Sequence, residues 1–269
     1  MHLDPVAPGA AVSLSDEAAR PSHMHDADKS ALRDRLDTLT ERIDRLQEAL
    51  FAESERSVLV VLQGRDTSGK DGTIRKVFGP LDPQGTVVTA FKAPTELELR
   101  HDFLWRVHQA VPPRGLIGIF NRSHYEDVLV VRVRQLVPER VWRGRYEQIN
   151  RFERNLVESG TTILKFFLHI SRAEQRERLL ARLEEPEKFW KFNPGDLEDR
   201  KRWDDYTAAA EEMLARTSTE TAPWYVVPAD HKPIRDVLVA ETIVAALERM
   251  DPKYPAPTGD LAAWRRELA

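Results

Sequence analysis

The stretch SVLVVLQGRDTSGKDGT, residues 57–73, decides the architecture. Ser57–Gln63 is a short apolar run without polar alternation, as in a strand covered on both faces. Gly64 ends it, and Gly64, Gly69 and Lys70 fit the spacing G-x-x-x-x-G-K. A loop of that spacing, set between a strand and a helix, turns backbone N–H groups inward around a phosphate. The helix N-terminus adds positive potential there. Lys70 brings an ammonium among phosphate oxygens, and the glycines allow close backbone approach. Arg65, Thr67, Ser68, Gly72 and Thr73 complete the candidate phosphate-binding set. The motif calls for Ser or Thr after the lysine to hold Mg²⁺, but Asp71 stands there and Thr73 comes two residues late. A loop carboxylate, Asp66 or Asp71, is then the candidate metal ligand, directly or through water.

Outward from this loop, strand-like runs recur at Thr86–Phe91, Leu116–Phe120, Ile163–Ile170 and Trp224–Val227. Helical stretches separate them, at Gly72–Phe78, Leu97–Val111, Val141–Ser159, Arg172–Leu183 and Ile234–Arg249. That alternation predicts an α/β fold, a parallel sheet flanked by helices. Before the loop, Leu32, Leu36, Leu39, Ile43, Leu46 and Leu50 make a heptad-like stripe on a charged helix. It fits either a coiled-coil seam or a helix packed on its own domain; fewer than four heptads favour the second. Residues 1–27 read as a mobile tail, 28–250 as one domain and 251–269 as a C-terminal tail that Trp264 docks. His2, His23 and His25 fit an exposed tail better than a metal site.

A second polar motif, FNRSHYEDV at residues 120–128, follows the third strand, at the sheet end where α/β proteins collect ligands. Arg122 can bridge phosphate oxygens with two parallel hydrogen bonds, and Glu126 and Asp127 can hold a metal or orient a nucleophile. From Arg132 to Arg154 arginines outnumber glutamates, which fits either an anion-holding surface or a solvated helix face. Residues 172–206 read as a helix–loop–helix excursion bearing Arg178, Arg182, Lys188 and Lys191, with aromatics between the lysines. A lid over phosphates has this composition, as does a helical hairpin with a surface aromatic cluster.

Composition narrows the classes further. With 40 Lys and Arg against 44 Asp and Glu, the net charge of −4 excludes a nucleic-acid coat. The absence of cysteine excludes disulfides, thiolate metal sites and a cysteine nucleophile. The apolar runs Val58–Leu62 and Ile163–Ile170 are too short to span a bilayer, and residues 1–21 do not read as a secretory signal, so the expectation is a cytoplasmic protein.

Taken together, GRDTSGKDG at 64–72, FNRSHYEDVLVVRV at 120–133 and EPEKFWKFNPGDLEDRKRWDDY at 185–206 resemble the polyphosphate kinase 2 family over roughly residues 30 to 250. The resemblance implies a P-loop kinase fold similar to thymidylate kinase, a homo-oligomer (dimer or tetramer), and Mg²⁺-dependent phosphoryl transfer between inorganic polyphosphate and adenine nucleotides, with guanine nucleotides as a further option. By the same resemblance Asp66 organises the metal and Lys70 and Arg122 contact phosphate. Arg178, Arg182, Lys188 and Lys191 are lid contacts, and Lys92, Thr95, Asn121 and Tyr125 lie on the nucleotide side. Asn121 stands where many members have an Asp metal ligand; an amide oxygen can serve there directly or through water. Glu126-Asp127 resembles the subgroup that phosphorylates AMP as well as ADP. The alternative is an ATP-dependent nucleoside monophosphate kinase on the same fold. A different class, a regulatory nucleotide-binding scaffold assembled through the Leu32–Leu50 stripe, predicts binding without turnover.

Overall fold

The computed structural model describes residues 2–21 and 28–269. In chain order the main elements are helix α1 (Lys29–Glu53), strand β1 (Ser57–Gln63), the loop helix Lys70–Thr73 continued by a π turn at Ile74–Phe78, and β2 (Thr86–Ala90). Then come β3 (Ile117–Asn121), α2 (Glu139–Glu158), β4 (Thr161–His169), α3 (Arg172–Glu184), α4 (Gly195–Lys201), α5 (Trp203–Thr217), β5 (Trp224–Pro228) and α6 (Lys232–Met250). All five strands pair in parallel, in the order β2-β3-β1-β4-β5.

β1 shows why sequence and layer agree. Val58, Val60 and Leu62 enter one core with α1 and α6, while Leu59 and Val61 enter a second core with α2 and α5. A strand buried on both faces needs no polar alternation. The register sets Leu62 level with Asn121 and Gln63 level with Phe167, so the loops after β1, β3 and β4 open at one end of the sheet. β1 lies between β3 and β4, where the direction of strand succession reverses and a crevice opens.

The α1 stripe packs against α6 of the same chain, with Ile43 and Leu50 fully buried. Arg35–Glu241 (2.7 Å) and Arg42–Glu248 (2.9 Å) clasp the two helices. The stripe therefore faces its own domain rather than a coiled-coil partner. Three other expectations are corrected. β2, whose apolar run reads as a strand buried on both faces like the other four, is an edge strand, and Val87 and Val88 stay exposed. The helix expected over 97–111 is two short turns, Glu96–Leu99 and Trp105–His108. Between them the Asp102 carboxylate accepts from the Leu104 N–H (3.0 Å), a local bond that competes with helix continuation. At the C-terminus, Trp264 remains about half exposed and packs on Gly259 of its own segment.

Residues 2–21 do not behave as a tail. They run along the outer side of β5: Val6 N–H donates to Trp224 O (2.8 Å), Gly9 N–H to Ala215 O (3.2 Å), and Ser218 Oγ to Val6 O (2.5 Å). Leu3, Leu14 and Ala19 are buried. Unpaired backbone at a sheet edge rewards such a strap, and a strap shaped by its neighbours carries no period of its own. His23 and His25 lie outside the described residues. Deleting residues 1–20 removes the burial of two leucines, at about 1.5–3 kcal/mol each. The melting temperature is expected to fall by roughly 6–24 °C, read by calorimetry. An unchanged melt would show that the strap contributes no stability.

Candidate active site

The loop after β1 is shaped by two glycines. Gly64 (φ 142°) and Gly69 (φ 105°) lie in the left-handed region; a Cβ on Gly64 would strike the Leu168 carbonyl, and one on Gly69 the Arg235 guanidinium. Lys70 Nζ crosses the loop interior and donates to Gly64 O (2.7 Å) and Arg65 O (3.1 Å). Burial, and then the neighbouring Arg122, push its pKa down to about 8. Phosphate binding needs the protonated form, which dominates below that value. kcat/KM, which reports the free enzyme, is expected to fall as pH rises through about 8. kcat should hold to higher pH, because a bound phosphate restores the proton. Rate profiles over pH 6–10 check this.

Three members of the expected phosphate-binding set turn elsewhere. Arg65 stacks on Trp203 (3.8 Å) and donates to Trp203 O (2.9 Å) and Thr207 Oγ1 (2.5 Å), tying the loop to α5. Ser68 Oγ sits beneath the loop against Gly64. Thr73 Oγ1 donates to Asp236 in the core (3.1 Å). Thr67, by contrast, lines the cavity below, and its buried hydroxyl has no partner among the described residues.

Arg122 leaves β3 with φ 62° and its guanidinium pairs with Asp66 and, at 3.4 Å, with Glu126. Gln63 Nε2 donates to the other Glu126 oxygen (3.1 Å). Burial pushes the Asp66 carboxyl up, but Arg122 and Lys70 outweigh it and hold the group below the ordinary range. Asn121 Nδ2 donates to Asp71 (2.6 Å), which leaves the amide oxygen available beside that carboxylate. Two neighbours in the motif face the other way. Tyr125 is fully buried, with its hydroxyl on Glu153, so it cannot meet a nucleotide. Asp127 pairs with Arg145 (2.8 Å), and burial pushes its carboxyl up.

Above the loop lies a cavity of about 540 Å³ in which nine Lys and Arg side chains face two carboxylates, Asp66 and Asp71. Lys70, Arg122, Arg182, Lys188 and Lys191 were expected there, and Lys92, expected on the nucleotide side, joins them; Lys232 and Arg235, from the first turns of α6, were not expected. Their signal was positional: α6 starts after the last strand, at the same end of the sheet. Arg178 lines the cavity but is chiefly a brace. It donates to Thr67 O (2.9 Å), Ser68 O (3.3 Å), Ala229 O (2.8 Å) and Asp230 O (2.8 Å), fixing the loop from α3. Arg182 bonds Lys191 O (3.0 Å) and Asp196 (3.1 Å) within the lid segment. Lys188 pairs with Glu185. The Thr95 hydroxyl caps the short helix at Glu96 and so is used locally. Most arginines of 132–154 are committed to carboxylates: Arg132 pairs with Glu212, Arg134 with Asp199, Arg143 with Glu139, Arg145 with Asp127 and Arg151 with Glu147. A smaller cavity, lined by Glu126, Asp199 and Tyr206, meets the cationic one at Asp66 and Arg122.

A phosphate loop, a second polar motif and a cation-lined lid thus converge on one crevice. The family described as Polyphosphate kinase 2 (PPK2) matches residues 26–255. The chain belongs to the polyphosphate kinase 2 family. It is 56% identical over 229 residues to the AMP/ADP-polyphosphate phosphotransferase of Meiothermus ruber, covering 85% of this chain and 86% of that one. It is 46% identical over 245 residues to the ADP-polyphosphate phosphotransferase of Rhodopseudomonas palustris, covering 87% and 84%. The crystal structure of Polyphosphate Kinase 2 from Arthrobacter aurescens TC1 superposes with a TM-score of 0.90 at 42% identity, covering 93% of this chain and 90% of that one. The expected α/β fold with a parallel sheet is borne out, and the strap at residues 2–21 lies outside the segment that matches the polyphosphate kinase 2 family. No described helix is long and apolar enough to cross a membrane.

The polyphosphate kinase 2 site also fits a hard divalent cation. Among the described residues no three His, Asp or Glu side chains cluster to hold a metal unaided. Mg²⁺ does not require that: it retains waters and takes one or two carboxylates together with substrate phosphates. Asp66, Asp71 and the Asn121 amide oxygen offer oxygen ligands at the cationic cavity.

Proposed function

We propose that this polyphosphate kinase 2 transfers the terminal phosphoryl group of inorganic polyphosphate to ADP and AMP, reversibly, so that ATP is both product and reverse substrate. The observation that carries this is the cavity over Lys70, whose nine cations exceed what one nucleotide triphosphate needs and suit a longer polyanion. The names of the Meiothermus and Rhodopseudomonas relatives support polyphosphate as donor, and the first supports AMP as well as ADP as acceptor. Guanine nucleotides as further acceptors, a homo-oligomer and a cytoplasmic location belong to the same proposal.

An oxygen of the acceptor phosphate attacks the terminal phosphorus in line. The bond to the bridging oxygen breaks, and its electron pair stays on the shortened chain. Charge spreads over the equatorial oxygens of a loose transition state. Lys70 and Arg122 meet that charge, and Arg182, Lys188 and Lys191 hold the chain behind it. Asp66 stays ionised beside Arg122 and fixes its direction. No general base is needed, because the acceptor is already anionic. Mg²⁺, held by Asp66 with Asp71 or Asn121, would neutralise phosphate oxygens and template their approach.

The test is a donor swap. Purified protein is incubated with AMP or ADP and Mg²⁺, with polyphosphate or ATP as donor, and the nucleotides are separated. Phosphorylation from polyphosphate is expected. Turnover with ATP and AMP but none with polyphosphate would instead make the chain a nucleoside monophosphate kinase. Nucleotide binding with no turnover from either donor would make it a scaffold.

A further inference from the structure

The second motif carries a buried ionic cluster on the side away from both cavities. His124 and Tyr125, in the turn His124–Asp127, are fully buried. Glu153, from α2, meets both of them. Tyr125 Oη donates to Glu153 Oε1 at 2.6 Å, and His124 Nε2 lies 3.2 Å from the same oxygen. Lys165, from β4, donates to Glu153 Oε2 (2.6 Å), Tyr125 Oη (2.9 Å) and Thr217 O (2.7 Å). These groups sit in the core layer of Leu59, Val61, Phe152 and Trp224. Apolar residues of equal volume would stabilise such a layer at least as well. The cluster's distinguishing property is therefore direction, not strength.

That direction points at the active site. Arg122, just before the turn, and Glu126 within it face the cavities, while His124 and Tyr125 between them face Glu153. Arg145, also from α2, holds the third inward group by donating to Asp127 Oδ1 (2.8 Å) and Asp127 O (3.1 Å). Arg122 adopts a left-handed backbone (φ 62°) that a non-glycine residue keeps only when its surroundings impose it.

We infer that Glu153 is a positioning residue for phosphoryl transfer: through Tyr125 and His124 it fixes the turn that holds Arg122 between Glu126 and Asp66. The inference rests on the functional reading above. It assigns Glu153 no contact with substrate. Its role is to set where the Arg122 guanidinium stands when charge develops.

The test uses the full chain with polyphosphate and ADP. Tyr125→Phe removes the shorter of the two ties between the turn and Glu153, leaving the His124 contact, and keeps the Glu153–Lys165 pair intact, so the buried carboxylate retains its cation. A misplacement of about 1 Å at a reacting centre can cost on the order of 100-fold, so Tyr125→Phe is expected to lower kcat by roughly 10- to 100-fold. KM should stay within about threefold, because ground-state binding is shared among many cations. In an Arg122→Ala background the same substitution should cost nothing further, since it acts through Arg122. Unchanged kcat well below the melting temperature, or an equal fold loss in both backgrounds, overturns the inference. A crystal structure of Tyr125→Phe separates this from failure of the functional reading. Loss of the Arg122–Asp66 contact supports the inference even if the parent uses another donor. An unmoved Arg122 overturns it whatever the donor is.

Discussion

Lys70→Ala is expected to lower kcat/KM with polyphosphate by about 100- to 1,000-fold, the usual cost of removing one preorganised donor from a developing oxyanion. The size follows from how the other cations are committed. Arg122 is held by Asp66 and Glu126, Arg235 by Asp236, and Arg178 by four loop and strand carbonyls. None can swing into the loop interior that Lys70 Nζ occupies. Stability should move little or rise, because burial and the adjacent Arg122 already disfavour the Lys70 cation in the unliganded fold. The measurement pairs steady-state rates at pH 7 with a thermal melt. A variant that melts like the parent and turns over like the parent would remove the loop from the chemistry. One that loses turnover with an intact melt assigns the loss to the ammonium.

What was legible in the sequence was local. β1 and its loop are contiguous, so strand, glycines and lysine could be read together, and the structure keeps all of them in that order. The stripe on α1 was legible as a face, but nothing in it named α6, almost 200 residues later, as the surface it meets. Arginines were harder. Arg65, Arg178 and Arg182 look alike in the sequence, yet the first stacks on Trp203, the second braces loop carbonyls and the third lines the cavity. Which donor meets which carbonyl is a tertiary fact. Tyr125 and Glu126 are adjacent in the chain and face opposite ways, because the tight turn His124–Asp127 separates neighbours that a loop reading treats as one group. The run of arginines at 132–154 carried a charge count but not its partners, Glu212 and Asp199, which come from α5 and α4.

Lys165→Met is expected to destabilise the fold by about 3–5 kcal/mol, because it leaves Glu153 ionised, buried and without its cation. For a chain of this size that is a fall of roughly 6–20 °C in melting temperature. In the parent, burial pushes Glu153 up, but Lys165 and His124 outweigh it and hold the carboxyl low, so the group supports folding at neutral pH and loses that support only on strong acidification. Without Lys165 the desolvation is uncompensated and the folded-state pKa rises above that of the unfolded chain. The sign then reverses: the variant is least handicapped at low pH, and its deficit grows as pH rises through the new value. The gap between variant and parent melts should therefore narrow between pH 8 and pH 5. The double variant Lys165→Met, Glu153→Leu removes both charges and should regain most of the lost stability, leaving Tyr125, His124 and the Thr217 carbonyl to resettle. Recovery of the melt without recovery of kcat would separate the two jobs of this cluster, since an apolar pair can fill the layer but cannot aim the turn that carries Arg122. Recovery of both would mean that packing alone directs the turn.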